Sequence, residues 1–263
     1  MKMKKLLLAV VTLGAALSMS ACGKSNKIVV GTNAAFPPFE YKDDQGNITG
    51  FDMDLIKGYG EYVGKTVEIK DMEFDAALTS ASKGKIDIAI AGITKNEKRE
   101  QTLTFSKGYY SSNQVVIYKQ GTEIGTTIST LTSDTDIIAA LQGKKIGCQR
   151  ATTGQFYIEG DADWGFDGIT GAECRPYDNG GLAIKDLNDG KIDVVILDEA
   201  PANNIVKKNY STTLAISPVA LTQEEYAIAV KKGNTSLAES LNKYIDQIKA
   251  NGEYNKLLEK YFG

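Results

Sequence analysis

The chain has 263 residues, 42% of them apolar, which is enough for one large domain or two small ones with a real core. Its formal charge is −3 and no basic run interleaves with aromatics, so nucleic acid is not an indicated partner. It contains no histidine, which removes histidine-activated nucleophiles and every histidine-containing metal site.

Residues 1–21 begin with Lys2, Lys4 and Lys5, carry no acid, and hold an apolar run over 6–17. That run is too short to span a bilayer, and the pattern is that of an export signal. Removing it leaves 27 basic residues against 33 acidic ones. The small residues Ser18, Ser20 and Ala21 precede Cys22 and resemble a bacterial lipobox, with Met19 where leucine is usual. On that reading Cys22 is lipidated, becomes the mature N-terminus, and tethers a soluble domain through a leash at 22–26 to a membrane face outside the cytoplasm. The alternative is plain signal cleavage with Cys22 incidental. The other two cysteines, Cys148 and Cys174, lie in short strand-like runs, and an exported chain permits either a bridge or two packed thiols.

Residues 27–31 read as a first strand. Apolar residues at three-to-four spacing (Met53, Ile56, Tyr59, Val63) predict a helix over 51–63, in which Gly58 and Gly60 mark a close contact. A strand at 66–72 and a helix at 74–83 follow. Then comes Gly84-Lys85-Ile86-Asp87-Ile88-Ala89-Ile90-Ala91-Gly92, a buried strand whose opening phrase returns 106 positions later as Gly190-Lys191-Ile192-Asp193-Val194-Val195-Ile196-Leu197-Asp198. Between the copies the spacing predicts a strand at 114–118, a polar surface excursion over 121–136, a short helix at 137–141, and a strand at 144–149. A helix at 153–158, a strand at 173–177 and a helix at 182–188 complete the cycle. A last strand covers 225–230, and 236–261 reads as helical with a break at Asn251-Gly252. Strands alternating with helices imply parallel sheets, which bind ligands beyond the carboxyl ends of their strands. Residues 161–168 only vaguely resemble a calcium loop, because Ala172 stands where a glutamate is needed, and are taken as a surface loop with no metal.

Gly50-Phe51-Asp52-Met53-Asp54-Leu55 resembles the signature of the polar amino-acid branch of bacterial solute-binding proteins, the receptors of ABC importers. Tyr59 departs from that pattern. Phe36-Pro37-Pro38-Phe39-Glu40-Tyr41, the segments 91–99 and 105–110, and the ending 251–263 match too, so the resemblance covers residues 27–263. It implies an α/β fold of the periplasmic-binding-protein-like type II, two βαβ-type lobes joined by a two-strand hinge. Lobe 1 is then 27–110 with 225–263, and lobe 2 is 111–224.

The residues that would carry binding follow from chemistry and from the resemblance together. Arg99 can hold a carboxylate through two parallel hydrogen bonds, which lysine cannot do. Taken alone, in the charged run 95–100, it reads as a solvated helix-face charge. The resemblance gives the matching arginine to a ligand α-carboxylate, and Ala91, Gly92 and Thr94 to the α-amine and carboxylate. Thr152 and Thr153 follow Ala151, where the family has glycine, and exposed N–H groups there suit a carboxylate. Asp198 matches the counter-charge to the α-ammonium, and also suits a helix N-cap. Phe36 and Phe74 match positions that sandwich the ligand side chain, with Asn33 and Gln149 at its tip. The expected function is the extracytoplasmic binding component of an amino-acid ABC importer. It would take a polar L-amino acid of the glutamine, arginine, histidine or lysine class, need no cofactor, act as a monomer, and present its ligand to a membrane permease. The rival is an arogenate or prephenate dehydratase on the same fold, for which no extra general acid stands out.

Overall fold

The computed structural model describes residues 26–263; the export segment and Cys22 lie outside the described residues. The first lobe opens with strand β1 (Lys27–Thr32) and a small ribbon of β2 (Ala35–Phe36), β3 (Glu40–Lys42) and β4 (Ile48–Thr49). Helix α1 (Phe51–Tyr62), β5 (Thr66–Asp71), α2 (Phe74–Ser82), β6 (Ile88–Ala89), α3 (Glu97–Glu100) and β7 (Leu103–Ser112) follow. The chain then crosses into β8 (Gln114–Lys119), α4 (Glu123–Ile128), α5 (Asp134–Ala140), β9 (Lys145–Gln149) and α6 (Thr153–Glu159). Next come β10 (Glu173–Tyr177), α7 (Gly180–Asn188), β11 (Val194–Asp198), α8 (Glu199–Asn209) and β12 (Leu214–Ile216). It returns through β13 (Glu224–Lys231) to α9 (Thr235–Ala250) and α10 (Glu253–Phe262). Two five-stranded sheets result, ordered β5-β1-β6-β13-β7 and β10-β9-β11-β8-β12, each the centre of one lobe.

Helix α1 buries Phe51, Met53, Leu55, Ile56 and Tyr59 as one stripe, while Asp52 and Asp54 fall in its first turn, where the helix dipole favours acids. Its glycines are where neighbours press closest: a Cβ on Gly58 would lie 2.2 Å from the Tyr244 hydroxyl, and one on Gly60 2.5 Å from Val67.

The repeated phrase is a repeated joint. Asp87 Oδ2 accepts the Val29 N–H at 2.8 Å, and Asp193 Oδ2 accepts the Lys145 N–H at 2.7 Å, so each aspartate grips the start of the parallel strand beside it. Ile86 lies over Gly31 and Ile192 over Gly147, with room for no Cβ: the distances would be 2.6 and 2.5 Å. The same four-residue phrase therefore locks β6 onto β1 and β11 onto β9.

The sheets are mixed rather than parallel throughout. β13 runs antiparallel to β6 and β7, and β8 antiparallel to β11 and β12. In each sheet the reversed strand is the one by which the chain arrives from the other lobe, β13 in the first and β8 in the second. The strand at 103–112, the ribbon at 35–49 and β12 were not anticipated; their alternation is too short or too aromatic to stand out. The excursion at 121–136 contains helix α4 and the start of α5. Thr122 and Ser133 cap them, accepting the N–H of Gly125 and Asp136, and Ile128 and Ile137 are buried. The polar residues that suggested a loop are thus helix caps.

Cys148 and Cys174 are free thiols on adjacent strands, with sulfurs 3.5 Å apart. Because the isoleucine–glycine contacts are tight, Gly31→Ala and Gly147→Ala should each cost about 1–3 kcal/mol, the usual penalty of overpacking. Urea unfolding measures this, and shortening the isoleucine in Gly31→Ala/Ile86→Val should recover part of the loss.

Candidate functional site

Residues at the carboxyl ends of β1, β6, β9 and β11 meet in one cleft between the lobes. It is almost fully closed and is lined by Asn33, Phe36, Phe74, Ala91, Gly92, Thr94, Arg99, Gln149, Thr152, Thr153 and Asp198, with Glu40 as a twelfth. The eleven residues singled out from sequence are therefore brought together, six of them before α3 and four from the second lobe, with Arg99 on α3 itself.

Arg99 rides on a single helical turn whose N-cap, Asn96, accepts the Arg99 N–H at 2.8 Å. The residue is 7% exposed, so it is not a solvated helix-face charge. Its guanidinium Nη1 donates to the Thr94 carbonyl at 2.7 Å and Nη2 to the Ala151 carbonyl of the opposite lobe at 3.0 Å. The Phe74 and Trp164 rings lie 5.4 and 4.9 Å from it. Burial pulls its pKa down to about 10, opposed by Glu224, Asp198 and Tyr226, and it remains a cation at neutral pH. Five N–H donors leave several free for a ligand.

Asp198 ends β11 at the step where Gly92 follows β6. It stands at the N-cap of α8, yet its side chain does not cap; it accepts from the Tyr226 hydroxyl at 2.6 Å. Burial first, then Glu224, pushes its pKa up to about 7, against the pull of Tyr226 and Gln114. Gly92 adopts φ +54, and a Cβ there would lie 2.8 Å from the Phe36 ring, so glycine is required. Ala151 holds φ +59, a left-handed conformation that glycine adopts freely and alanine rarely does. Thr152 and Thr153 follow it at the start of the seven-residue α6, too short to act through a macrodipole, so local amides matter.

Several cleft residues already touch across the gap. Gln149 Nε2 donates to Asn33 Oδ1 at 3.0 Å, and Asn33 Nδ2 donates to the Met72 carbonyl. Glu224 Oε2 accepts the hydroxyls of Thr94 and Thr153 at 2.5 and 2.9 Å. The surface loop at 161–166 reaches lobe 1 as well: Asp161 and Asp163 pair with Lys98, and Trp164 covers Arg99. Sequence reasoning passed over Glu40, Glu224 and Trp164. Glu40 lay inside a quoted motif as the one acid among aromatics, and Trp164 is the chain's single tryptophan; Glu224 carried no signal of its own.

The arrangement offers one cation and one anion from opposite walls, with aromatic faces and amides between them, and no nucleophile set beside a base. The family model described as bacterial extracellular solute-binding proteins, family 3, matches residues 28–263. The chain belongs to that family. A probable histidine-binding protein of Neisseria gonorrhoeae is 30% identical over 275 residues, spanning 100% of this chain and 97% of that one. An ancestral arginine-binding protein, solved bound to arginine, superposes with TM-score 0.79 at 36% identity, covering 90% of this chain and 99% of that one. An ancestral arginine-binding protein solved bound to glutamine gives 0.78 at 36%, covering 90% of this chain and 98% of that one. These are binding proteins, and this family 3 solute-binding protein is likewise not an enzyme.

Because Trp164 is the single tryptophan and leans on Arg99 across the cleft, its emission reads closure of this family 3 protein directly. Acrylamide quenching should fall when a ligand closes the lobes. Trp164→Phe should abolish the signal while leaving ligand-dependent thermal stabilisation in place.

Proposed function

We propose that this extracytoplasmic family 3 solute-binding protein captures a polar L-amino acid of the glutamine, arginine, histidine or lysine class between its lobes. It then delivers the ligand to an ABC permease in the membrane. The observation that carries this is the opposition of buried Arg99 and buried Asp198 across one small cavity. A zwitterion satisfies both, the α-carboxylate on Arg99 with the amides near Thr94 and Thr153, and the α-ammonium at Asp198 and Gly92. Phe36 and Phe74 flank the side chain, and Ala91 and Thr152 close the walls. Asn33 and Gln149 meet the side chain's polar end; Gln149 Oε1 is buried without a donor and suits an N–H there. Related proteins that bind arginine, glutamine and histidine support this class.

Thermal-shift screening of the twenty amino acids, followed by calorimetry, tests the reading; a screen in which none stabilises the protein would overturn it. Arg99→Ala should weaken binding by roughly 2–5 kcal/mol, as truncating one member of a buried charge pair does, and Arg99→Lys should not fully restore it. The ammonium needs Asp198 ionised. As pH falls through about 7 the free protein takes up a proton there, which the ligand must expel, so affinity should decline towards pH 5. Asp198→Asn should bind weakly and lack that decline.

Lipidation of Cys22 would hold a monomeric receptor on the outer face of the cell membrane, near its permease. Its lipobox-like setting supports this. Cys22→Ala should move the protein from the membrane fraction to the soluble exported one; retention in the membrane would rule the anchor out.

A further inference from the structure

Glu40 is the one residue of the cavity wall that zwitterion binding leaves unused. It opens β3, is fully buried, and neither of its carboxyl oxygens has a donor within reach among the described residues. Its partner is Asp52 of α1, also fully buried and close enough for a hydrogen bond between the two carboxyl groups. The two oxygens of Asp52 differ. Oδ2 accepts the Gly92 N–H at 3.0 Å and the Tyr109 hydroxyl at 2.7 Å, whereas Oδ1, Glu40 apart, has no N–H or O–H donor among the described residues.

The groups facing this pair are acids and phenols. Asp198 at the end of β11 acts on Glu40, while Tyr109 of β7 and Tyr254 of α10 face Asp52. Tyr226 of β13 is committed to Asp198. The cavity's cation, Arg99 of α3, is held by carbonyls and balanced by Glu224, Asp198 and Tyr226. Two buried carboxyl groups in contact, with no cation between them, cannot both be ionised. The anion belongs on Asp52, where an N–H and an O–H stabilise it, and the proton belongs on Glu40.

We propose that Glu40 is a neutral carboxylic acid at neutral pH, donating its O–H to Asp52 Oδ1 and thereby holding the anion that anchors Gly92. Glu40 is then a positioning residue, acting on the ligand's ammonium site through Asp52 and Gly92. It also leaves Asp198 as the single carboxylate charge among the residues lining the cavity, with Glu224 just outside them on Thr94 and Thr153. The electrostatics agree in direction: burial and then Asp52 push Glu40 well above the usual carboxylate range, while Asp52 rises only to about 6.

The stability signature has a definite sign. Glu40 gives up its proton on unfolding above pH ~4.3 but keeps it when folded, so the folded state binds more protons and stability falls as pH rises through neutrality. Glu40→Gln keeps a donor of the same shape and has no proton to lose.

Infrared spectroscopy of the ligand-free full chain tests the proton directly. A protonated-carboxyl C=O band is expected at pH 8, retained in Asp198→Asn and lost in Glu40→Gln. Between pH 5 and 8 the unfolding constant of the wild type should rise relative to Glu40→Gln by up to about tenfold per pH unit. The binding arm rests on the amino-acid reading above: Glu40→Ala should weaken the ligand found by screening more than tenfold, and Glu40→Gln should rescue it to within about threefold. A wild type without the band, or a Glu40→Gln variant as weak as Asp198→Asn, overturns the proposal, the latter by making Glu40 an ionised ammonium ligand. If no amino acid binds, the functional reading falls while the infrared band still decides the state of Glu40. Should Glu40→Gln not fold, the wild-type band and its retention in Asp198→Asn decide it.

Discussion

Arg99 is a guanidinium buried between two lobes with no carboxylate in salt-bridge contact among the described residues. Backbone carbonyls and two aromatic faces hold it, and its balancing acids stand at a distance. Such a cation is costly unless an anion comes to it. Much of the rest follows from that demand. A short turn capped by Asn96 delivers the side chain, Phe74 and Trp164 shield it from water, and Ala151 brings a second-lobe carbonyl to it. The charge is kept unsatisfied by the fold and available to a ligand.

The two lobes share a joint and differ at its outlet. In both, a glycine turn, an isoleucine laid over a neighbouring glycine and an aspartate gripping a strand start make the same contacts at nearly the same distances, 2.6 against 2.5 Å and 2.8 against 2.7 Å. With the scaffold equal, the step that ends each copy is free to diverge: glycine in one, aspartate in the other. Gly92 is itself held by Asp52, so the first lobe supplies a positioned backbone where the second supplies a charge. Stability and recognition are thereby assigned to different residues of one nine-residue phrase.

How much of this was legible follows from where each signal sits. Strand ends are readable, because a hydrophobic run that stops on a polar residue names both the strand and the outlet. The Thr152–Thr153 helix start and the strand-ending Asp198 stand out in that way, whereas Asn33, Gln149, Phe36 and Phe74 were placed by the resemblance. Arg99 needed the resemblance, since its neighbours are all charged or polar and its burial depends on a loop from the other lobe. Trp164 was missed for the same reason: nothing local says that residues 161–166 reach across a gap. Glu40 and Asp52 read as an acid beside a turn and an acid in a first helical turn, both ordinary on a surface. Only the packing of β3 against α1 shows that they are one buried unit. The mixed sheets were illegible because the reversal of sense arises from two long-range crossings.

Those crossings also set how the protein can move. β7 and β13 pair antiparallel up to the rung Ser112–Glu224, and the ladder is taken up at once by Gln114, bonded to Thr222 and Leu221. The two connections therefore run side by side as a ribbon rather than as separate threads. Paired in this way, the two connections favour rotation of the lobes about a line that crosses both of them. Displacement then grows with distance from that line, like the travel of a door edge. Glu224, on the last rung, sits close to that line and travels little.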